Sequence, residues 1–197
     1  MIVFLMLLFS FFMGSIPVGY LIVKRVKGVD IRTFGSGNIG STNVKRIAGD
    51  KVAKLTQAFD VLKGTIPVAI AFLIANFYSL PISKDLFVSI VALAAVIGHC
   101  YTPFLGFNGG KGVNTSLGAF ILVAPIPVLV GCVTYIIMKM LVKVVSIRSM
   151  TAAVSFTVTA LIMQLPAATT ISIILVTALM VFRHKDNIKR LVNKEEK

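Results

Sequence analysis

The sequence predicts an all-α protein that crosses a lipid bilayer several times, and three observations carry that expectation. Mean hydropathy is +0.94. Apolar residues make up 57% of the 197-residue chain and charged residues only 14%, where a soluble domain carries about a quarter charged residues. Apolar runs recur along the whole length, separated by short basic or glycine-rich segments. Too little polar surface remains to coat a soluble globule of this size.

A spanning helix needs roughly 20 apolar residues. Seven candidate spans follow, at about 2–23, 55–77, 86–102, 113–125, 126–143, 148–165 and 168–183. The first run lacks a basic leader and a small-residue cleavage site, so it reads as a retained helix rather than a signal peptide. The fourth is short, and Pro125 and Pro127 mark a tight turn before the fifth. Short spans beside glycine-rich loops are places where non-helical backbone lines a cavity. Residues 1–197 form one domain, without internal repeat or linker.

Orientation follows from Lys and Arg, which collect in cytoplasmic loops. With the N-terminus outside and the C-terminus cytoplasmic, only Lys84 of the 20 basic residues falls outside. That topology accounts for most of the net charge of +13. A basic excess also suits nucleic acid, but no soluble basic domain exists to hold it, and no nucleic-acid partner is expected. Cys100 and Cys132 sit in apolar context and read as packing residues. No metal-ligand spacing appears, and no metal or other cofactor is expected.

Three cytoplasmic segments carry chemistry. The first, 24–46, contains TFGSGNIGSTN. Gly35, Gly37 and Gly40 permit close approach of backbone to a ligand. Ser36, Asn38, Ser41, Thr42 and Asn43 add side-chain donors, and successive N–H groups suit a phosphate nest. Arg46 follows where its planar fork can close over that phosphate. The alternative is a flexible connection built from turn formers. The second, 98–115, places Lys111 among Gly109, Gly110 and Gly112 at a helix start, a second anion site, or else a glycine hinge with a snorkelling lysine. His99 either orients a substrate or caps the preceding helix. The third, 183–196, puts His184, Asn187 and Arg190 on one face of a helix leaving the membrane, or is an ordinary basic tail. Asp60 and Lys63, one turn apart inside the second span, read as a structural pair or a wall of the site.

Together these segments resemble the acyl-phosphate:glycerol-3-phosphate acyltransferases of bacterial membranes. The matching text is GSIPVGYLIVK with DIR and GSGNIG at 14–43, D.LKG..P at 60–67, IGH..P.F.GF.GGKGV.T at 97–115, and RH..NI.RL at 183–191. The resemblance covers the whole chain and implies transfer of an acyl chain from acyl phosphate to the 1-hydroxyl of sn-glycerol 3-phosphate. The products are lysophosphatidic acid and inorganic phosphate, at the first step of phospholipid synthesis. It implies a bacterial inner-membrane location, a cytoplasmic active site, contact with membrane lipid, and no need for coenzyme A or acyl carrier protein. Ser36 and Arg46 fall on essential positions of the first motif, Gly109, Gly110, Lys111 and Gly112 on the glycerol-3-phosphate motif, and His184 and Asn187 on essential positions of the third. Asn108 stands where the family usually has a basic residue. Lys194 stands where it has a glycine, two residues before a glutamate place taken by Glu196.

Acyl phosphate is an activated mixed anhydride, so positioning and charge stabilisation suffice. The proton acceptor is either His184 or the leaving phosphate. Neither His99 nor His184 has an aspartate five residues on, the pattern common in thioester-using acyltransferases, since Phe104 and Lys189 stand there. Two rivals remain open at this stage. A phosphate-ester transporter would show uptake in proteoliposomes, and a non-catalytic lipid-binding subunit would tolerate alanine at Ser36 or His184.

Overall fold

The computed structural model describes residues 1–196; Lys197, one of the 20 basic residues counted for orientation, lies outside them. The α-helices are α1 (Ile2–Ser15), α2 (Val18–Lys27), α3 (Ser41–Phe77), α4 (Lys84–Cys100), α5 (Val113–Phe120), α6 (Pro125–Leu141), α7 (Val145–Ile162), α8 (Ala167–Arg183) and α9 (Lys185–Val192). No strand occurs among the described residues.

Four stretches are long and apolar enough to cross a bilayer: Ile2–Lys27, Ser41–Phe77, Lys84–Leu105 and Val145–Ile162. Counting α8 and α9, bent by 53°, as one broken span makes five. The expectations at 2–23, 55–77, 86–102, 148–165 and 168–183 coincide with these. The expectation at 113–125 does not form a crossing helix. There α5 has 8 residues, about 12 Å at the α-helical rise, against a hydrocarbon core of about 30 Å. Its apolar residues face protein instead of lipid, and Ala119 and Phe120 are fully buried. The run at 126–143 is α6, with 17 residues.

The first span is broken at Ile16–Pro17. Proline supplies no N–H and biases the residue before it away from the helical region; Ile16 takes ψ of 114°. The carbonyl oxygen of Ile16 accepts from the Lys63 ammonium at 2.7 Å. Lys63 in turn pairs with Asp60 at 2.9 Å, with both side chains 4% exposed. The ion pair thus fills the gap that the proline opens.

In lipid the helices gain little from leaving water, so close packing through small residues does the work. Gly14 on α1 and Gly98 on α4 face each other's backbones: a Cβ on Gly14 meets the Ala95 carbonyl oxygen at 2.0 Å, and one on Gly98 meets that of Phe11 at 2.1 Å. Ser10 Oγ donates across the same seam to the Val91 carbonyl at 2.7 Å. Gly64 on α3 and Gly118 on α5 repeat the device, with Thr65 Oγ1 donating to the Gly118 carbonyl at 3.0 Å. The result places α4 at the centre, packed on α1, α3, α5 and α8. Its Phe87, Val88, Val91 and Val96 join Phe120, Phe156, Ile173 and Val176 in the main core. A smaller cluster, Val23, Ile31, Ile39, Val44, Ala53 and Leu105, lies under the glycine-rich loop after α2.

Candidate functional site

That smaller cluster explains how the loop 28–40 holds its shape. Ile31 and Ile39 are buried anchors, so the segment between them is a supported arch. Asp30 starts a 3₁₀ turn over Ile31–Thr33 by accepting from the Arg32 N–H at 2.9 Å. The Arg32 guanidinium returns to both Asp30 oxygens at 2.6–3.1 Å and lies over the Tyr20 ring at 5.4 Å. The Arg32 hydrogen bonds pull the Asp30 carboxyl down to about 2.

The hub of the arch is Asn43, 1% exposed in the first turn of α3. Its Nδ2 donates to the carbonyls of Ile31, Phe34 and Asn38 at 2.9–3.3 Å. Its Oδ1 accepts the Ser36 N–H at 3.1 Å. The Gly37 N–H goes to Phe34 at 3.0 Å and the Gly40 N–H to Asn38 Oδ1 at 2.8 Å. The expected phosphate nest therefore does not form from these three groups. Their N–H donors close the arch on itself, and what it presents outward is the side chain of Ser36.

The loop after α4 is tied at its base. The N–H groups of Gly109 and Gly110 donate to the carbonyls of Cys100 and His99 at 3.1 and 3.0 Å, satisfying the end of α4. The His99 ring lies beneath Gly110, where a Cβ meets Nε2 at 2.1 Å, and its Nδ1 is 3.8 Å from Asp60 Oδ1. His99 is thus a buried support of the loop. Gly112 turns the chain into α5 with φ of 85°, a left-handed conformation that glycine adopts at low cost.

The third segment is not one helix face. The chain breaks at His184, between α8 and α9. His184 is 2% exposed, and its Nδ1 lies 2.7 Å from the Met180 carbonyl. A carbonyl only accepts, so Nδ1 carries the hydrogen and Nε2 bears the lone pair. Burial pushes this imidazole down to about 4. Past the break, the Lys111 ammonium donates to Asn187 Oδ1 at 2.5 Å. The Asn187 amide donates to Glu196, which also accepts from Arg190 at 2.6 Å and Ser146 at 3.2 Å. Burial alone raises the Glu196 carboxyl, but the hydrogen bonds from Asn187 and Arg190 outweigh it and hold it below its ordinary value. Burial pushes Lys111 down to about 8.

The three segments enclose one cleft of about 600 Å³. Of the expected residues, Ser36, Gly37, Asn38, Gly109, Lys111, Asn187 and Arg190 line it. Asn43, Gly40, Gly110, Gly112 and His184 stand behind the wall as supports. Thr42 and Arg46 are exposed on the first turns of α3, with Arg46 beside Gly35 and its charge felt at Lys111. Asn108, at the position where the family usually has a basic residue, also lines the cleft, as do residues that sequence reasoning did not place here: Asp30, Arg32, Thr33, Arg183, Lys185 and Asp186. Arg183 stands directly before His184 in the matching RH..NI.RL text, a signal that sequence reasoning quoted without assigning it a part in the site. Five basic side chains thus face two carboxylates, one of them already paired to Arg32, so the cleft favours an anion. A second cleft of about 450 Å³ at the α3–α4 turn contains none of the expected residues.

The family model for glycerol-3-phosphate acyltransferase matches residues 4–194. A glycerol-3-phosphate acyltransferase of Clostridium acetobutylicum is 52% identical over 196 residues, covering 100% of this chain and 99% of the relative. One of Geotalea daltonii is 46% identical over 183 residues, covering 92% and 90%. Among solved structures, the glycerol 3-phosphate form of PlsY (YgiH), an integral membrane glycerol 3-phosphate acyltransferase, superposes with a TM-score of 0.91 at 34% identity, covering 100% of this chain and 95% of that one. Its lysophosphatidic acid form gives 0.89 at 35% identity with the same coverage.

Proposed function

The chain belongs to the glycerol-3-phosphate acyltransferase family, and on that premise we propose that it transfers an acyl chain from acyl phosphate to the 1-hydroxyl of sn-glycerol 3-phosphate, releasing lysophosphatidic acid and inorganic phosphate. The observation that carries this reading is the meeting of three segments, far apart in sequence, at one cationic cleft at the end of an apolar bundle. Both substrates are phosphates, and one also carries a fatty chain that the bilayer can hold.

In this reading Ser36 serves the acyl-phosphate end, and Lys111, Arg46 and Arg190 serve the glycerol phosphate. The 1-hydroxyl attacks the acyl carbonyl, the bond from carbonyl carbon to phosphate oxygen breaks, and the phosphate leaves with the electron pair. Cationic groups stabilise the charge on the carbonyl oxygen and the departing phosphate. The phosphate itself takes the hydroxyl proton. His184 is a weak base at about 4, well below the pH at which general bases work best, whereas a phosphate dianion stands where the proton is released. Asn187 holds Lys111, and Glu196 holds Asn187. An outside N-terminus and an inner-membrane location with a cytoplasmic cleft complete the proposal.

The test supplies purified, folded protein with glycerol 3-phosphate and either acyl phosphate or acyl-coenzyme A, and follows phosphate and lysophosphatidic acid. Turnover with acyl phosphate alone, abolished in Ser36→Ala and Lys111→Ala, is expected. Turnover only with the thioester overturns the donor. No turnover with either overturns the enzyme reading and points to a transporter, which proteoliposome uptake then measures.

A further inference from the structure

Arg183 has no part in the reaction as proposed, yet it makes the bonds that fix the lysine loop. Its Nε donates to the Gly110 carbonyl at 3.1 Å and its Nη2 to the Gly109 carbonyl at 2.9 Å. We infer that Arg183 is a positioning residue that acts through Lys111, holding the Gly109–Gly110 backbone so that the lysine ammonium is presented to the phosphate of glycerol 3-phosphate; this rests on the reading of the cleft given above.

Gly109 and Gly110 have the widest backbone freedom of any residues, so the next side chain is only as well placed as their peptide planes are pinned. Their N–H groups are pinned from one side by the end of α4. Their carbonyls are pinned from the other side by Arg183 alone, among the described residues. Two adjacent donors of a rigid planar fork match two successive carbonyls, which a lysine point charge does not do. The guanidinium is itself held, over the Tyr101 ring at 5.2 Å. One turn further on, Asn187 holds the Lys111 ammonium. The α8–α9 elbow therefore grips the loop twice, by its backbone and by its lysine.

Lys111 is also faced by Arg46 from α3 and by Arg190, Asp186 and Glu196 from the elbow and tail; Arg183→Lys changes none of these charges and keeps its own. The test measures kcat, KM for glycerol 3-phosphate and the pH profile of kcat/KM for wild type, Arg183→Lys and Tyr101→Leu, alongside unfolding temperature. Arg183→Lys is expected to raise KM on the order of tenfold, as for loss of charged hydrogen bonds, with kcat nearly unchanged. It is also expected to move the alkaline limb upward from about pH 8, because a released Lys111 returns to water. Tyr101→Leu, which loosens the guanidinium and leaves its partners, is expected to shift both in the same direction by less. Wild-type KM in Arg183→Lys overturns the inference, since charge alone then suffices. A raised KM with the alkaline limb unmoved also overturns it, since Arg183 is then a direct phosphate ligand. Lower kcat in proportion to lost folded protein, with KM unchanged, reduces Arg183 to a fold residue. Inactive wild type removes the reading of the cleft, and the inference with it.

Discussion

Lys111 is charged in water up to about pH 10.4, but in the cleft burial brings its pKa to about 8. Below that pH the ammonium is available to a phosphate; above it the cleft loses a central cation. A phosphate monoester becomes a dianion above roughly pH 6. The kcat/KM for glycerol 3-phosphate is therefore expected to rise through about pH 6 and fall through about pH 8. His184, at about 4, adds no inflection between them. Steady-state rates from pH 5 to 10 check this, and a flat profile through pH 8 removes Lys111 from phosphate binding. Stability moves the opposite way. The unfolded chain keeps the Lys111 proton between about 8 and 10.5, where the folded protein has released it, so this residue's contribution to stability rises with pH across that window. At this scale the sequence pointed to residues that the fold gathers at one cleft, more than to what each does there. Glycine and asparagine types signal both anion contact and tight backbone packing, and only the fold tells them apart. Asn43 reads as a donor for substrate, yet its amide is spent on three carbonyls and the Ser36 N–H.

The cap of α9 shows the same limit at the scale of an element. Lys194 stands where the family usually has a glycine, and it takes φ of 59°. The Glu195 N–H bonds the Arg190 carbonyl at 2.7 Å and the Lys194 N–H bonds that of Leu191 at 3.1 Å. That is the paired C-terminal closure with a left-handed residue, usually glycine, at its centre. The turn forms in spite of the substitution because Glu196 is held by Arg190, Asn187 and Ser146. A residue with a Cβ costs about 1–2 kcal/mol in this conformation. Lys194→Gly is therefore expected to stabilise the protein by about 1 kcal/mol, read as a higher unfolding temperature in detergent with activity retained. A lower temperature means that the lysine side chain contributes more than its strain. Helices themselves were largely legible, because hydropathy sums over about 20 residues and tolerates local detail. It failed at 113–125, where the apolar residues serve the protein core. Gly118 and Gly64 let α5 lie directly on α3, and hydropathy does not distinguish a neighbour of protein from one of lipid.

At the scale of the whole molecule, charge is sorted by end. The cleft and its basic residues sit where α2, α4, α8 and the start of α3 emerge, while the α3–α4 turn at the far end holds Lys84 as its cation. Lys84 donates to Asn76 at 2.7 Å and lies over Phe72, so even this charge is tied to the protein surface. Basic residues are retained on the cytoplasmic side during insertion, so the proposed topology puts the cleft on the cytoplasmic side and the α3–α4 turn outside. The native thiols do not obstruct a direct measurement, since Cys100 is buried and Cys132 half-buried and both can be replaced by alanine. In that background a single cysteine at exposed Ser79 is expected to react with a membrane-impermeant maleimide added to intact spheroplasts. One at exposed Lys189 is expected to react only after permeabilisation. The reverse pattern inverts the topology and parts the cleft from cytoplasmic glycerol 3-phosphate. Labelling of both sites from outside places the two ends on one side and removes the proposed topology.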